Sequence, residues 1–323
     1  MRVAFLGAAV ALASFLAAGA ASAQTWPVKP VRVIVPYGPG GTADTLGRVV
    51  ADHLSEAFGQ QFVIDNKAGA GGVVGSQLAA RAQADGYTLV VSGVGSHVVA
   101  PAINPNTNFD PMKDFTHIAL FGGPPAVFVA NPRTGIADVA GLVAALKDPA
   151  RPLAYASPGA GTHGHLMAEF FLMKTGLKME HIPYRGAGPA MGDLVAGHVP
   201  LGSTTFSTAA APIRAGALKP LAVTAAQRLP TFPDIPTFAE LGWPDMVGTV
   251  WFGLSGPAGM PAAVVERLNR ETIRALSTPA ARERLARDAI TTQPLTPVEF
   301  ARFVEAEIAL WGPVAKASGA QPE

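Results

Sequence analysis

The chain has 323 residues, no cysteine, and 24 basic against 23 acidic side chains. The lack of cysteine excludes a disulfide scaffold, a cysteine-ligated zinc or iron–sulfur protein and a thiol enzyme, and the near-zero net charge makes nucleic acid or an anionic membrane surface an unsuitable partner. The length allows two domains of ordinary size.

The first 23 residues have the pattern of a secretory signal peptide. Arg2 supplies a positive start, residues 3–21 are apolar or small, and Ala21-Ser22-Ala23 has the small-x-small form that signal peptidase cleaves. Cleavage after Ala23 would leave Gln24 as the first residue of an exported, periplasmic chain; the alternative is an uncleaved membrane anchor. Because no cysteine follows, attachment of a lipid to an N-terminal cysteine is excluded.

From residue 31 onward, short apolar runs alternate with helical patterns, which is typical of an α/β protein. Residues 31–35 predict a strand that Pro36 ends, and residues 42–58 predict a helix in which apolar side chains recur every three or four positions. The same succession of strand, glycine-rich turn and helix is predicted for 62–65, 69–72 and 73–82, and a third strand for 87–91.

A run of glycine and proline at 122–125 divides two apolar stretches and indicates that the chain crosses there into a second lobe. In that lobe, strands are predicted at 153–156, 180–184 and 218–224, and helices that end near Thr175 and Val195. Residues 250–254 predict a strand that returns to the first lobe, because the helical patterns at 262–276, 279–288 and 297–311 need a sheet to cover. We therefore expect two lobes, each a mostly parallel sheet flanked by helices, with residues 24–124 and 250–323 in lobe 1, residues 125–249 in lobe 2, and a ligand cleft between them.

Nucleotide-binding and hydrolase motifs are poorly matched. After Gly41 the sequence lacks the Lys and following Ser or Thr of a phosphate-binding P-loop, and residues 69–75 only weakly match a dinucleotide-binding motif. Ser157 is not in a Gly-x-Ser-x-Gly turn, and Pro158 lacks the amide that an oxyanion hole would use. The sequence therefore predicts neither a nucleotide cofactor nor a serine nucleophile.

A metal site could be proposed from His163, His165 and Glu169. His163 and His165 lie about 200° apart around a helix, so this segment alone is a poor three-ligand site. We therefore predict no metal and no catalytic residue.

Loops that follow strands are instead rich in groups that donate hydrogen bonds. Amides at helix N-termini carry a partial positive charge and bind carboxylates without help from an arginine. Only 15% of the residues are charged, where about 25% is usual, so an anion would depend on such amides and on hydroxyl groups. The loops concerned lie near 37–44, 69–72, 92–96, 157–163 and 184–188.

An ordered series of motifs runs along the whole mature length. It includes Val35-Pro36-Tyr37-Gly38-Pro39-Gly40-Gly41-Thr42-Ala43-Asp44, Asn66-Lys67-Ala68-Gly69-Ala70-Gly71-Gly72, Asp85-Gly86-Tyr87-Thr88-Leu89, Ser157-Pro158-Gly159-Ala160-Gly161-Thr162-His163-Gly164-His165-Leu166, Pro183-Tyr184-Arg185-Gly186 and Leu221-Ala222-Val223-Thr224. The series resembles the Bug-type extracytoplasmic solute receptors, the substrate-binding proteins of tripartite tricarboxylate transporters. The resemblance implies a type II-like periplasmic binding protein fold that closes on a small organic carboxylate and delivers it to membrane permease subunits. We expect a monomer without cofactor or enzymatic activity.

The resemblance and the loop pattern together predict the ligand-binding residues. In lobe 1 they are Tyr37, Gly40, Gly41, Thr42, Asp44, Ser92 and Ser96, and in lobe 2 they are Ser157, Gly161, Thr162, His163, Tyr184, Arg185 and Thr204. The lobe 1 amides would bind a carboxylate, and Ser157 to His163 would hold the same carboxylate or a second one. Asp44 would cap the helix or bind a ligand amine or a water. Tyr184 would form a wall, and Arg185 either a distant positive field or a surface charge.

Two features leave the identity of the ligand open. Family members often have Gly-x-Val-Asp followed by an aromatic residue, whereas here Gly197-His198-Val199-Pro200 lacks the Asp and the hydroxyl-rich Ser203-Thr204-Thr205 follows. The apolar turn Gly93-Val94-Gly95 leaves room for an aromatic or less charged acid. The alternative function is an exported enzyme that acts on a small organic acid, with His163, His97 and Asp44 as its candidate acid–base groups.

Overall fold

The computed structural model describes residues 26–150, 152–184 and 186–319. The predicted signal peptide, its cleavage site after Ala23, and Arg185 lie outside the described residues. Within them, the chain forms two five-stranded sheets flanked by helices.

The first sheet and its helices are built from both ends of the chain. Its strands are β1 (Val31–Val35), β2 (Phe62–Asn66), β3 (Thr88–Gly93), β4 (Phe115–Gly122) and β10 (Phe252–Pro257). Its helices are α1 (Thr42–Phe58), α2 (Val73–Ala80), α3 (Ala100–Ile103), α8 (Ala262–Ser277), α9 (Pro279–Arg287) and α10 (Pro297–Ala317). The strand order is β2-β1-β3-β10-β4, and β10 lies antiparallel between β3 and β4.

The second sheet is built from the middle of the chain. Its strands are β5 (Ala126–Ala130), β6 (Ala154–Ser157), β7 (Glu180–Pro183), β8 (Leu201–Thr205) and β9 (Lys219–Val223). Its helices are α4 (Val139–Leu146), α5 (His163–Thr175), α6 (Ala187–Ala196) and α7 (Phe206–Arg214). The order is β7-β6-β8-β5-β9, and β5 runs antiparallel to β8 and β9.

The chain crosses between the sheets twice, side by side. It leaves β4 at Gly122 and enters β5 at Ala126, and on the return path Thr249 pairs with Pro125 before β10 begins. The parallel strands of each sheet end at the edge that faces the other lobe, so a strand that arrives from the other lobe must start at that edge and run the opposite way. This explains why β5 and β10 alone oppose their neighbours, while the other strands give the mostly parallel sheets expected from the sequence. The predicted lobe limits at 124/125 and 249/250 stay a prediction.

Helix α10 packs against both lobes. One hydrophobic cluster contains Val99 and Leu120 from lobe 1, Phe128 and Leu166 from lobe 2, and Trp311 from α10. Each is at most 3% exposed, and burial of a side chain such as Phe128 contributes about 1.5–3 kcal/mol. The cluster fixes α10 across the junction at the base of the cleft. Among the described residues, no helix combines the length and the hydropathy needed to cross a membrane.

A candidate ligand-binding cleft between the lobes

A cavity of about 580 Å³ lies between the two lobes, a size typical of small-molecule sites. Its lining comes from the glycine loop before α1, the turn between β3 and α3, the loop between β6 and α5, the starts of α6 and α7, and the return crossing. Apart from the return crossing, these segments follow the carboxyl ends of β1, β3, β6, β7 and β8. Open α/β sheets bind their ligands at these ends.

Three of the helices that begin at this cavity have no side-chain cap. The residues that precede α1, α6 and α7 are Gly41, Gly186 and Thr205, and none of them caps its helix through a side chain. Side chains do cap other helices, namely α5 at the cavity, through Thr162, and α4, α9 and α10 elsewhere, through Asp138, Thr278 and Thr296. An uncapped N-terminus leaves backbone N–H groups without partners and carries a partial positive charge. The cavity therefore offers hydrogen-bond donors to an anion from both lobes.

Asp44 holds the lobe 1 loop in shape from behind the cavity wall. Its carboxylate accepts hydrogen bonds from the Gly40 amide at 2.9 Å, from Arg48 Nε at 3.0 Å and from Asn66 Nδ2 at 3.0 Å. The hydrogen bond from Arg48 is the main reason why the pKa of Asp44 falls to about 2, so the side chain is ionised at neutral pH. Asp44 is 4% exposed and does not line the cavity. Its carboxylate therefore fixes the shape of the loop that lines the cavity.

The lobe 2 loop is held by a stack of two histidines. The rings of His165 and His181 lie 3.9 Å apart and are nearly parallel. His165 Nδ1 accepts a hydrogen bond from the Gly161 amide at 3.0 Å, and His181 Nε2 lies 2.7 Å from the Ser157 hydroxyl. Burial lowers the pKa of His165 to about 3 and of His181 to about 4. Both rings are therefore neutral at pH 7 and support the loop by stacking and hydrogen bonding rather than by charge.

His163 has an unusual position at the start of α5. It lines the cavity, yet it is 3% exposed and neither ring nitrogen has a hydrogen-bond partner among the described residues. Its ring packs edge-on against Trp311, and burial lowers its pKa to about 3. The imidazole is consequently neutral and supplies no positive charge to the cavity.

Half of the predicted ligand-binding residues line the cavity. They are Tyr37, Gly40, Gly41, Thr42, Gly161, Thr162 and His163. Arg185 lies outside the described residues. The role of the seven lining residues in ligand binding stays a prediction.

The other predicted residues that the structure describes do not line the cavity, and their polar groups are bound within the protein. Besides Asp44 and Ser157, described above, Ser92 donates a hydrogen bond to the Gly253 carbonyl, Ser96 to the Gly93 carbonyl, Tyr184 donates to Asp193 at 2.6 Å, and Thr204 pairs with Thr208 at 2.9 Å. These hydroxyl groups stabilise the loops that surround the cavity. The sequence did not distinguish these residues from those that line the cavity, because both sets lie at or just after the ends of strands.

Several residues that line the cavity were not predicted from the sequence. They are Thr45, Val94, Val99, Ile103, Asn104, Thr205, Ser207, Thr208, Val250, Phe252, Asp288 and Ile290. Thr205 ends β8, a strand that was not predicted, and Ser207 and Thr208 follow it. The run of hydroxyl residues at 203–205 was the sequence signal that could have identified this part of the lining. Asp288 and Ile290 come from beyond α9, where nothing in the local pattern points to the cleft.

Charged and metal-binding groups are scarce in this region. No lysine or arginine is among the described residues that line the cavity, and Asp288 is the one acid there. The described part of the chain contains no group of three or more His, Asp or Glu side chains placed to hold a metal ion. The chemistry that the arrangement supports is therefore recognition by amides, hydroxyls and apolar contacts.

Comparison with known proteins places these features in a family. A sequence profile described as tripartite tricarboxylate transporter family receptor matches residues 46–320. The protein BugT of Bordetella pertussis strain Tohama I is 35% identical over 301 residues, which cover 93% of this chain and 92% of BugT.

Two solved structures have the same architecture over nearly the whole chain. Rpa4515 of R. palustris, with adipate, is 33% identical with a TM-score of 0.82, and the match covers 92% of this chain and 100% of that one. MatC (Rpa3494) of Rhodopseudomonas palustris, with bound malate, is 31% identical with a TM-score of 0.79, and covers 90% and 100% of the two chains.

Proposed function

The chain belongs to the tripartite tricarboxylate transporter receptor family, and from this premise we propose that it is a periplasmic solute-binding protein that captures a small organic carboxylate and delivers it to a membrane permease. The observation that carries the proposal is the convergence of the uncapped N-termini of α1, α6 and α7 on one cavity between the lobes. Adipate and malate in the two similar structures support the same class of ligand.

Backbone amides would bind the carboxylate in this site. No cationic side chain lines the cavity among the described residues, so within this part of the chain hydrogen bonds from N–H groups to the charged oxygens would compensate for the water that a carboxylate loses. Such charge-assisted hydrogen bonds are roughly twice as strong as those between neutral groups. The glycines at 40–41 and at 161 let the backbone approach the ligand without an intervening side chain.

A ligand in this cleft would bind the closed arrangement of the lobes more tightly than an open one. Gly161 of lobe 2 lies close to lobe 1, since a Cβ placed on it would come within 3.0 Å of Val99 Cγ1 and 3.4 Å of Ile103 Cδ1. A carboxylate held from both sides gains all its contacts only when the lobes are together. That difference in affinity is what shifts the equilibrium between conformations and gives the permease a shape to recognise.

The candidate acid–base groups of an enzyme do not form a working pair in the described residues. His97 is fully buried beside Phe115, and burial lowers its pKa well below the usual range. Asp44 is ionised and engaged by Arg48, and His163 has no carboxylate partner. We therefore propose a receptor without catalytic activity, exported by the signal peptide predicted at residues 1–23.

Matched acids and amides test the proposed function. Purified residues 24–323 would be titrated by calorimetry with adipate, succinate and benzoate, and with the corresponding uncharged amides. We expect at least one acid to bind in a saturable way and its amide to bind at least tenfold more weakly, because the amide lacks the charge that the helix N-termini stabilise. Equal binding of acid and amide would contradict the proposal, as would an absence of binding across a wider panel of carboxylates.

A further inference from the structure

One side of the cavity is hydrocarbon. Val94, Val99, Ile103 and Phe252 line it together, and we refer to these four residues as the apolar wall. They come from the turn after β3, from α3 and from the start of β10, and so belong to lobe 1. None of their side chains can form a hydrogen bond. A ligand that fills the cavity must place part of its surface against this wall.

Most hydroxyl groups around the cavity are already paired within the protein. Thr208 Oγ1 donates to the Thr205 carbonyl at 2.8 Å and lies 3.3 Å from Thr205 Oγ1, and Ser207 donates to the same Thr205 hydroxyl. Thr162 Oγ1 donates to the Gly159 carbonyl at 2.7 Å. Because the protons of these hydroxyl groups are already used, a ligand hydroxyl could donate to their oxygens but could not accept from them without breaking an existing hydrogen bond.

Few polar side-chain groups remain without a partner. Among the described residues that line the cavity, the hydroxyls of Thr42 and Thr45 make no hydrogen bond, and both lie in the first turn of α1. Beside α3, the Asn104 side-chain oxygen accepts from the Asn106 amide, which leaves only its amino group. Unpaired polar groups thus occur at the start of α1, at the His163 ring and at the Asn104 amino group beside Ile103, whereas the four side chains of the apolar wall offer none.

The cavity is also larger than a four-carbon acid requires. At about 580 Å³ the cavity is in the range of sites that hold drug-sized ligands. Ile290, from beyond α9, adds a further hydrocarbon side chain to the lining. The cavity suits a ring or an unsubstituted chain better than a short hydroxylated acid.

From these observations we infer that the ligand carries its carboxylate on a hydrocarbon body, either a ring or an aliphatic chain without hydroxyl groups. The inference rests on the proposed function and narrows it to one substrate class. A hydroxyl group placed against the apolar wall would lose its water and gain no partner, which is unfavourable. A hydrocarbon surface in the same place gains from leaving water.

Two pairs of acids that differ only in the hydroxyl groups of the body test the inference. Adipate would be compared with galactarate, which has the same chain with a hydroxyl on each internal carbon, and cyclohexanecarboxylate with quinate, which has the same ring with hydroxyls. In calorimetric titrations of residues 24–323, we expect the hydrocarbon member of at least one pair to bind at least tenfold more tightly than its hydroxylated partner. Equal or tighter binding of galactarate and quinate would overturn the inference while leaving the proposed function intact.

Other outcomes separate the two claims. Binding of malate or citrate, with none of the four probes bound, would overturn the inference alone. Binding of no carboxylate at all would overturn the proposed function and the inference with it.

Substitutions in the apolar wall test the cause of the preference. Ile103 is half-buried, so Ile103→Thr adds a hydroxyl at the wall, and we expect it to reduce the hydrocarbon preference about tenfold. Val99→Thr, which preserves shape, is a second variant should the first fail to fold, as judged by thermal unfolding. The matched control is Val63→Thr on β2, which is 51% exposed and does not line the cavity. An unchanged preference in both wall variants would overturn the assignment of the preference to this wall.

Discussion

Gly161 shows how a single position shapes the cleft. Its φ angle is +72°, in the left-handed region that side chains other than glycine rarely adopt, and its amide donates to His165 Nδ1. An added Cβ would also press against Val99 of the opposite lobe at 3.0 Å. Backbone strain and an inter-lobe contact therefore coincide at this residue.

Gly161→Ala should lower both stability and affinity. The left-handed conformation costs a residue with a Cβ roughly 1–2 kcal/mol, and the contact with Val99 would hold the lobes apart, so we expect the Kd for the best carboxylate to rise at least tenfold. Gly176→Ala is the control, because Gly176 has a similar φ of +68° with no atom within 4 Å of an added Cβ. Thermal unfolding should show a loss in both variants, whereas calorimetry should show weaker binding only in Gly161→Ala. Equal affinities in the two variants would contradict this role.

The sequence predicted residues of the cleft only where backbone geometry leaves a signal. Gly40, Gly41 and Gly161 are recognisable because sharp turns and close approach require glycine. Hydroxyl residues in the loops at strand ends are ambiguous, since Ser92 and Ser157 bond inward whereas Thr42 lines the cavity. Of the apolar wall, only Val94 lies in a turn that the sequence analysis singled out, because the pattern of Val99 or Ile103 is that of any buried residue.

At the scale of elements, α10 carries a partly buried acid, Glu307, beside the return crossing that lines the cleft. Glu307 of α10 accepts a hydrogen bond from Trp251 Nε1 at 2.9 Å, and Trp251 lies on the return crossing just before β10. Trp311, one turn further along α10, also donates to it. Burial raises the pKa of Glu307 to about 7. The carboxyl group therefore changes its charge near neutral pH at the junction of the two lobes.

Glu307 should make stability depend on pH in a defined direction. In an unfolded chain a glutamate has a pKa of about 4.3, so the raised value in the fold means that ionisation is less favourable there. The folded state is then favoured most below about pH 4, as far as this group is concerned, and loses stability as the pH rises to about 7. Glu307→Gln removes this loss and can still accept from Trp251.

Thermal unfolding at two pH values measures this effect. We expect Glu307→Gln to raise the Tm at pH 8 by a few degrees and to change it much less at pH 5. The control Glu305→Gln alters an exposed acid on the same helix and should leave the Tm unchanged at both values. A Glu307→Gln variant with the same Tm as the unsubstituted chain at pH 8 would contradict the assignment.

Most elements followed from periodicity, and the exceptions have physical reasons. The pattern predicted α10 only to about residue 311, because Gly312 and Pro313 usually end a helix, yet it continues to Ala317. Val314 and Ala315 are buried in the inter-lobe cluster, and this packing outweighs the hydrogen bond that the proline lacks. Strand β8 was not predicted because Gly202 and Ser203 interrupt its apolar pattern, and its position between β6 and β5 is what orders it.

At the scale of the whole molecule, two similar lobes meet through their parallel-strand ends. The alternation of strands and helices predicted both sheets and their mostly parallel character. The sequence could not show that β5 and β10 run the other way, because a run of apolar residues carries no direction. The two antiparallel strands are nevertheless essential to the cleft, since they carry the chain from one lobe to the other and place Val250 and Phe252 in its wall.

The central claim is that backbone amides from both lobes hold a carboxylate in the cleft. A crystal structure of residues 24–323 with the tightest-binding acid tests it most directly. The account predicts carboxylate oxygens within hydrogen-bonding distance of main-chain N–H groups at the start of α1 in lobe 1 and at the start of α5, α6 or α7 in lobe 2. An acid bound outside the cleft, or one held chiefly by a lysine or arginine side chain, would contradict it.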